Sequence, residues 1–516
     1  MNGMPILSLL TLLPAVGAAV VLLASGERAT TARRVAMVFS LLALGAVVLL
    51  WSRFDPSVAG MQFEERHAWV TLLGAEYRVG VDGMGLLMLL LSAVVTPIAM
   101  AASWKTEQRA PLYFALVLLV ESCLFGAFTA LNFFHWFIFW EIGLVPAYFL
   151  IRLWGGARRA PAAMQFLVYT MVGSVGLLLA FLALFQAAHT FDFTALAALA
   201  HSNQLMPMVV ERLGTHRYMP HHMAMLVFAA AFLGFAVKVP LVPFHTWLPD
   251  AYAEAPTGTT ILLTGAMSKM GVYGFLRVLV PIFGAQMVRA RTPLLWLAVA
   301  TVVLGGFAAL AQKDLKRVFA YSSVNHLGYC MLGLFAALGA TGAGAANESA
   351  AAVSGVLLQM FNHGLTAATV FLCVAMIESR TGGVRGINDF GGLRKPAPVL
   401  AGLMGIALFS SLGLPGLNSF PGEFLIFRGV FSLAWVAATV SVLGLLVTAA
   451  VILTVIQKVF NGPVAKHCEG FPDLHHGERM ALAPVIGLML LVGVLPQLIV
   501  DGVNPTVVNL LAHWRF

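Results

Sequence analysis

Six ionisable residues lie where the chain is otherwise apolar. They are Glu141 in FHWFIFWEIGLVPAYFL, Lys238 in FAVKVPLVPFHTW, Lys269 in SKMGVYGFLR, His326 in YSSVNHLGYCML, His363 in MFNHGLTAATVFL and Glu423 in LGLPGLNSFPGEFLIF. A charge at the centre of a bilayer costs about 2.5–3.5 kcal/mol on insertion scales, so six such groups without a use would be a heavy load. The chemistry open to them is proton transfer. A proton crossing about 30 Å of hydrocarbon needs stepping stones that bind and release it. A carboxylate close to a buried lysine keeps the lysine protonated, and one that moves away lets the proton leave. Glu141 and Lys238 are candidates for such a pair, with Lys269 as the next acceptor. His326 and His363 are of the residue type that titrates near neutrality, and Glu423 would be the acid at the far side.

Each residue also has a plainer reading. Lys238 alone fits a structural ion pair, and the two histidines fit hydrogen bonds between helices. Gly143, two residues after Glu141, fits close helix packing, which does not account for the acid. Glu423 sits beside a helix break and is the hardest to explain as packing.

The elements that must position these groups are membrane helices. Of 516 residues 60% are hydrophobic and only 10% charged, against about 25% charged in soluble domains. Mean hydropathy is +0.90. Long apolar runs without ten-residue alternation exclude a barrel and give an all-α polytopic membrane protein. The run 4–24 has no basic residues ahead of it and is long enough to span, so a retained first helix is expected rather than a signal peptide. The net charge of +8 reads as an orientation signal and not as nucleic-acid binding. Cys123, Cys330, Cys373 and Cys468 are far apart, which argues against an iron–sulfur or zinc site and against a disulfide framework.

At about 20 residues per crossing, about 14 transmembrane helices are expected. The spans are 4–24, 34–52, 83–103, 111–130, 132–151, 163–186, 223–248, 258–280, 293–312, 318–338, 351–377, 398–427, 434–458 and 480–500. Segments 53–82 and 187–222 hold most of the loop polarity, and neither reads as a folded domain. Loop Lys and Arg, Lys316 and Arg317 among them, gather on one side. That side is expected to be cytoplasmic, with both termini opposite. Helix 7 is interrupted by Pro240 and Pro243 beside Lys238. Helix 12 is interrupted by Gly413, Pro415, Gly416 and Pro421 ahead of Glu423. Their separation suggests two inverted five-helix repeats, 111–280 and 293–458, with discontinuous helices 7 and 12. The single membrane domain then divides into N-terminal helices 1–110, the repeats, and a C-terminal loop and helix 459–516. Pro240 and Pro243 free carbonyls that must face protein or water, and water there would hydrate Lys238.

Other motifs carry less. His245, Asp250 and Glu254 in HTWLPDAYAEAP match no strong metal-ligand spacing and read as a polar cytoplasmic mouth. His221–His222 and His475–His476 read as loop residues. No G-x-G-x-x-G or Walker sequence is present, so neither nucleotide nor any other cofactor is expected on this chain.

Taken together, WEIGLVPAYFLI, FAVKVPLVPFHTWLPDAYAEAPT, SKMGVYGFLR, DLKRVFAYSSVNHLGY, FNHGLTAATVFL and SLGLPGLNSFPGEF resemble the antiporter-like subunits of respiratory complex I, over about residues 80–460. The resemblance implies two half-channels joined by a central hydrophilic axis. It makes Glu141 and Lys238 the coupled pair of helices 5 and 7, and Lys269 the central lysine of helix 8. His326 and His363 become connecting positions, and Glu423 the terminal acid of helix 12. An acid there sets the chain apart from subunits L and N, which carry lysine and would be its neighbours. The lack of a long lateral helix after the last span points the same way. Pro421, where the family pattern leads one to expect valine, is expected to shift the break of helix 12. The resemblance further implies a bacterial inner-membrane location and proton pumping coupled to NADH:quinone chemistry on other subunits. The alternatives are a subunit of a Mrp-type cation/proton antiporter or of a membrane-bound hydrogenase-type complex, and a non-conducting structural subunit.

Overall fold

The computed structural model describes residues 4–26, 28–70, 75–213, 220–340 and 343–514. Arg217 and Arg515, loop arginines expected on the side opposite Lys316 and Arg317, lie outside these, as does the side chain of His221. Helices α1 (Ile6–Ala24) and α2 (Ala29–Arg53) expose many apolar side chains, Leu23 at 86% for example. That is the composition of a surface wetted by lipid. The polar segment 53–82, which the sequence left without a structure, holds a hairpin of β1 (Gln62–Val70) antiparallel to β2 (Ala75–Val81). Its Glu65 carboxylate accepts the amides of Leu7 at 2.6 Å and Ser8 at 3.2 Å. It therefore caps α1, whose own N-cap Pro5 offers no side-chain acceptor.

Helices α3 (Gly83–Ala102) and α4 (Ala110–Thr129) form the buried spine. Next come α5 (Phe133–Ile142), α6 (Leu144–Trp154) and α7 (Arg159–Ala188). The second polar segment, 187–222, contains the short helices α8 (Phe193–His201) and α9 (Leu205–Arg212). Helix α10 (Pro220–Lys238) already includes His222, so that histidine is not in a loop. After a break, the chain resumes as α11 (Trp247–Glu254) and α12 (Thr257–Leu262). A π-turn at Leu263–Met267, α13 (Lys269–Gly274), a second π-turn at Phe275–Leu279 and α14 (Val280–Arg289) complete the first half.

The second half consists of α15 (Arg291–Leu310), α16 (Leu315–Ala337), α17 (Ala343–Thr381), α18 (Pro398–Ser411), α19 (Ser419–Leu433) and α20 (Trp435–Val455). The expected last span, 480–500, is divided at Leu495–Pro496 into α21 (His476–Val494) and α22 (Gln497–Ala512). His475 caps α21 and His476 begins it, so neither is a loop residue. Helix α22 folds back on α3 and α17. A Cβ at Gly83 would stand 2.2 Å from the Gly502 carbonyl, so the two backbones touch there.

Among the described residues, eleven helices are long and apolar enough to cross a membrane. The three expected spans that fall outside this set are 223–248, 318–338 and 398–427. The first and third stop part-way, and α16 is too polar. They are also the spans that carry Lys238, His326 and Glu423. Among the described residues, every ion pair apart from His326–Glu423 joins residues that the loop charges assign to the same side. Arg158 and Arg317 meet Asp250, and Arg380 meets Glu478. On the other side Arg78 meets Asp192 and Arg277 meets Asp82.

Candidate proton-transfer site

The two breaks position the site. Helix α10 ends at Lys238, and residues 239–246 are not helical. The backbone groups this frees are met by protein: Trp247 Nε1 donates to the Val237 carbonyl at 3.0 Å, and the Val242 amide donates to Thr301 Oγ1 at 3.0 Å. In helix 12 the interruption is 412–418, with Gly413 and Gly416 at φ of +74° and +91°. Pro421 follows it. It occupies the first turn of α19, where a proline removes no helical hydrogen bond.

Glycines bring the helices close enough for the buried groups to meet. A Cβ on Gly364 would lie 2.5 Å from the Gly265 carbonyl, and one on Gly271 would lie 2.7 Å from Val239 Cγ2. One on Gly355 would lie 2.6 Å from the Ile426 amide. The first contact seats α17 on the π-turn ahead of Lys269. The second seats α13 on the end of α10, and the third seats α19 on α17.

The result is a set of contacts that runs from Lys269, late in the first half, into the second half. Lys269 is fully buried and donates to His363 Nδ1 at 2.7 Å, to the Thr264 carbonyl, and to Ser268 Oγ at 3.4 Å. Thr264 lies in the π-turn, an irregularity that recurs at functional sites. The His363 and His326 rings are 5.2 Å apart, centre to centre. His326 Nδ1 is 3.3 Å from Glu423 Oε1, and its Nε2 is 3.2 Å from Ser411 Oγ. A cavity of ≈ 20 Å³ touches both histidines, Ser322, Ser323, Thr366, Ser411 and Ser419. It has room and polar partners for about one water.

The surroundings of Lys238 are arranged differently. Lys238 is 3% exposed, and its Nζ has no hydrogen-bond partner among the described residues. It stands 4.9 Å from the centre of the Trp140 ring, a cation–π contact. Glu141 and Cys123 are within electrostatic reach, but Glu141 makes no ion pair with the lysine. Glu141 itself is half-buried, with one carboxylate oxygen enclosed and unpartnered. It sits at the rim of the bundle beside the exposed Ile142.

Several groups in or near the site were not singled out by the sequence. Gln359 donates to Glu423 Oε1 at 3.1 Å and reaches His326 Nδ1 at 3.5 Å, and a lone glutamine in an apolar run carries no signal of that. Glu121 is fully buried, 3.4 Å from Ser40 Oγ. Its place in LVLLVESCLF matched the signal used for the other acids. Lys316, assigned to a cytoplasmic loop, is 2% exposed and donates to the Ala255 carbonyl at 2.6 Å. The helix starts one residue before it, so the side chain turns inward. Asp250 and Glu254 are taken up by Arg158 and Arg317.

Buried lysines and a buried acid linked through histidines, beside two interrupted helices, define an ion-pathway membrane protein of the antiporter-like class. The family model described as NADH:quinone oxidoreductase/Mrp antiporter, TM, matches residues 130–451, and the chain belongs to that family. Curated relatives named NADH-quinone oxidoreductase subunit M include one from Rickettsia conorii, 34% identical over 100% of both chains. Another, from Rhodobacter capsulatus, is 35% identical over 99% of this chain and 97% of its own. Among solved structures, a chain of respiratory complex I from Thermus thermophilus with bound NADH superposes with a TM-score of 0.84 at 28% identity. That match covers 99% of this chain and 100% of the other. A chain of the Mrp complex from Dietzia shares the fold, with a TM-score of 0.81 at 21% identity over 98% of both chains.

Proposed function

We propose that the chain is the M-type antiporter-like subunit of respiratory complex I and carries protons across the membrane through its buried Glu, Lys and His residues. The full-length relatives named subunit M support complex I over a Mrp assembly, for which the likeness is one of fold. In this reading the helices make fourteen crossings, with 111–280 and 293–458 as inverted repeats. Subunits L and N are the neighbours in a bacterial inner membrane. NADH oxidation and quinone reduction occur on other subunits, and this chain holds no cofactor.

The observation that carries the reading is the run of contacts Lys269–His363–His326–Glu423. Lys238, without a hydrogen-bond partner and close to a rim carboxylate, is suited to gaining or losing its partner when the neighbouring subunit changes. A proton released there passes to Lys269, through the histidines, and out by Glu423. Moving a charge against 100 mV takes about 2.3 kcal/mol, so the driving energy must come from the redox subunits. The test is Lys269→Ala in assembled complex, reconstituted in vesicles. NADH-driven proton pumping should fall at least tenfold with subunit content unchanged. Wild-type pumping in that variant would support the structural-subunit reading instead.

A further inference from the structure

Away from the proton site, three arginines from three elements surround one pocket. Arg109 precedes α4, Arg152 lies in the last turn of α6, and Arg159 begins α7. With Gln108, Tyr148, Phe149, Leu153 and Trp154 they enclose ≈ 450 Å³, within the range of small-molecule sites. Trp154 Nε1 donates to the Gln108 carbonyl at 2.7 Å, and its ring packs edge-on against Tyr113 at 5.2 Å. The wall is therefore bolted to the helices behind it.

The charge is uncompensated. Arg158, next in sequence to Arg159, is paired with Asp250 and Glu254, whereas none of the three pocket arginines forms an ion pair among the described residues. Arg159 meets only the Gly155 carbonyl, at 3.3 Å. Glu107, two residues before Arg109, is exposed and pairs with none of them. The first turns of α4 and α7 start here and bring the positive ends of two helix dipoles, against one negative end from α6.

The surface below the pocket names the ligand. Ile142, Val145 and Phe149 are 53%, 50% and 41% exposed. They repeat at spacings of three and four, so they form one stripe, and the next position on that stripe is Arg152. On α7, Met164 and Val168 are exposed beside it, at 51% and 49%. An apolar rail that runs up the membrane face and ends in three unpaired guanidiniums matches a molecule with an acyl chain below and a phosphate above. Guanidinium groups bind phosphate oxygens through paired, charge-assisted hydrogen bonds.

We infer that this pocket is a binding site for the phosphate headgroup of an anionic phospholipid, with its acyl chain laid along Ile142, Val145 and Phe149. The test uses assembled complex purified in detergent, stripped of loose lipid and exposed to phosphatidylglycerol, phosphatidylcholine or inorganic phosphate. Native mass spectrometry then counts retained lipid. Wild type should keep one phosphatidylglycerol more than the triple variant Arg109→Gln, Arg152→Gln, Arg159→Gln. Retention should weaken about fivefold per arginine removed, and Phe149→Ser should weaken it with the arginines intact. Phosphatidylcholine should show no difference between wild type and variant. Equal phosphatidylglycerol counts would overturn the inference. So would displacement by inorganic phosphate with no effect of Phe149→Ser, which would mean a soluble-anion site. Loss of a protein subunit in place of a lipid would mean an acidic protein partner.

Discussion

Two regions of the molecule hold their buried charges in opposite ways. In one, which runs from Lys269 late in the first half into the second half, Lys269, His363, His326 and Glu423 touch in sequence, and Gln359 ties Glu423 from the side. In the other, Lys238 has an aromatic ring beneath it, no hydrogen bond to its Nζ among the described residues, and a carboxylate that is near but forms no ion pair with it. The contrast follows from the surroundings. Glu423 projects from α19 against α17, where Gly355 and Gly422 allow backbone contact. Glu141 stands at the rim beside the exposed Ile142, half-buried, with one oxygen enclosed. A conduit needs fixed neighbours, and a switch needs a partner that can move. In the proposed reading, the two histidines between lysine and acid, and what packs behind each acid, are what separate the conduit from the switch.

The strongest way to break the comparison is to separate the fixed half. Gly364→Val places branched carbons where the first would already lie 2.5 Å from the Gly265 carbonyl. Overpacking of this kind typically costs about 1–3 kcal/mol. It should also part Lys269 from His363. The subunit is expected to be depleted from the assembled complex, read on native gels, and any complex formed should pump less than a tenth as well. Normal assembly with normal pumping would show that the close contact does not hold the conduit together.

A finer test shortens each acid by one methylene. Glu423→Asp withdraws the carboxylate from His326 and Gln359, both of which are fixed, and should lower pumping about tenfold. Glu141→Asp shortens an acid that forms no ion pair with Lys238, and should retain pumping within about threefold. Proton-to-electron ratios in vesicles measure both. Equal losses would mean that the two regions do not differ in the way described. The smallest effect belongs to the hairpin. Arg66 and Glu76 are paired at 2.8 Å with much of both side chains exposed, and such pairs contribute about 0–1 kcal/mol. Arg66→Ala should therefore leave thermal stability and pumping nearly unchanged.

Much of this was legible in the chain. The apolar runs, the interruptions after Lys238 and Ser411, and the rarity of charge within spans are local properties, and each pointed to its residue without help from a fold. Lys316 was misplaced because the inward turn of a helix start depends on what lies behind it. The hairpin at 62–81 was missed because charged residues interrupt the alternation of its strands.

The sequence by itself determined that this is a multi-pass helical membrane protein with six ionisable groups at depth and two interrupted helices. That follows because hydropathy and helix breaking act on neighbouring residues. Only the tertiary structure decided which of the six meet. Lys269 and His363 are 94 residues apart, and they touch because Gly265 and Gly364 lack the carbons that would hold their helices apart. Gln359 entered the site by the same route. Contact between helices depends on small residues matched across a seam, and no periodicity within one helix reveals its partner.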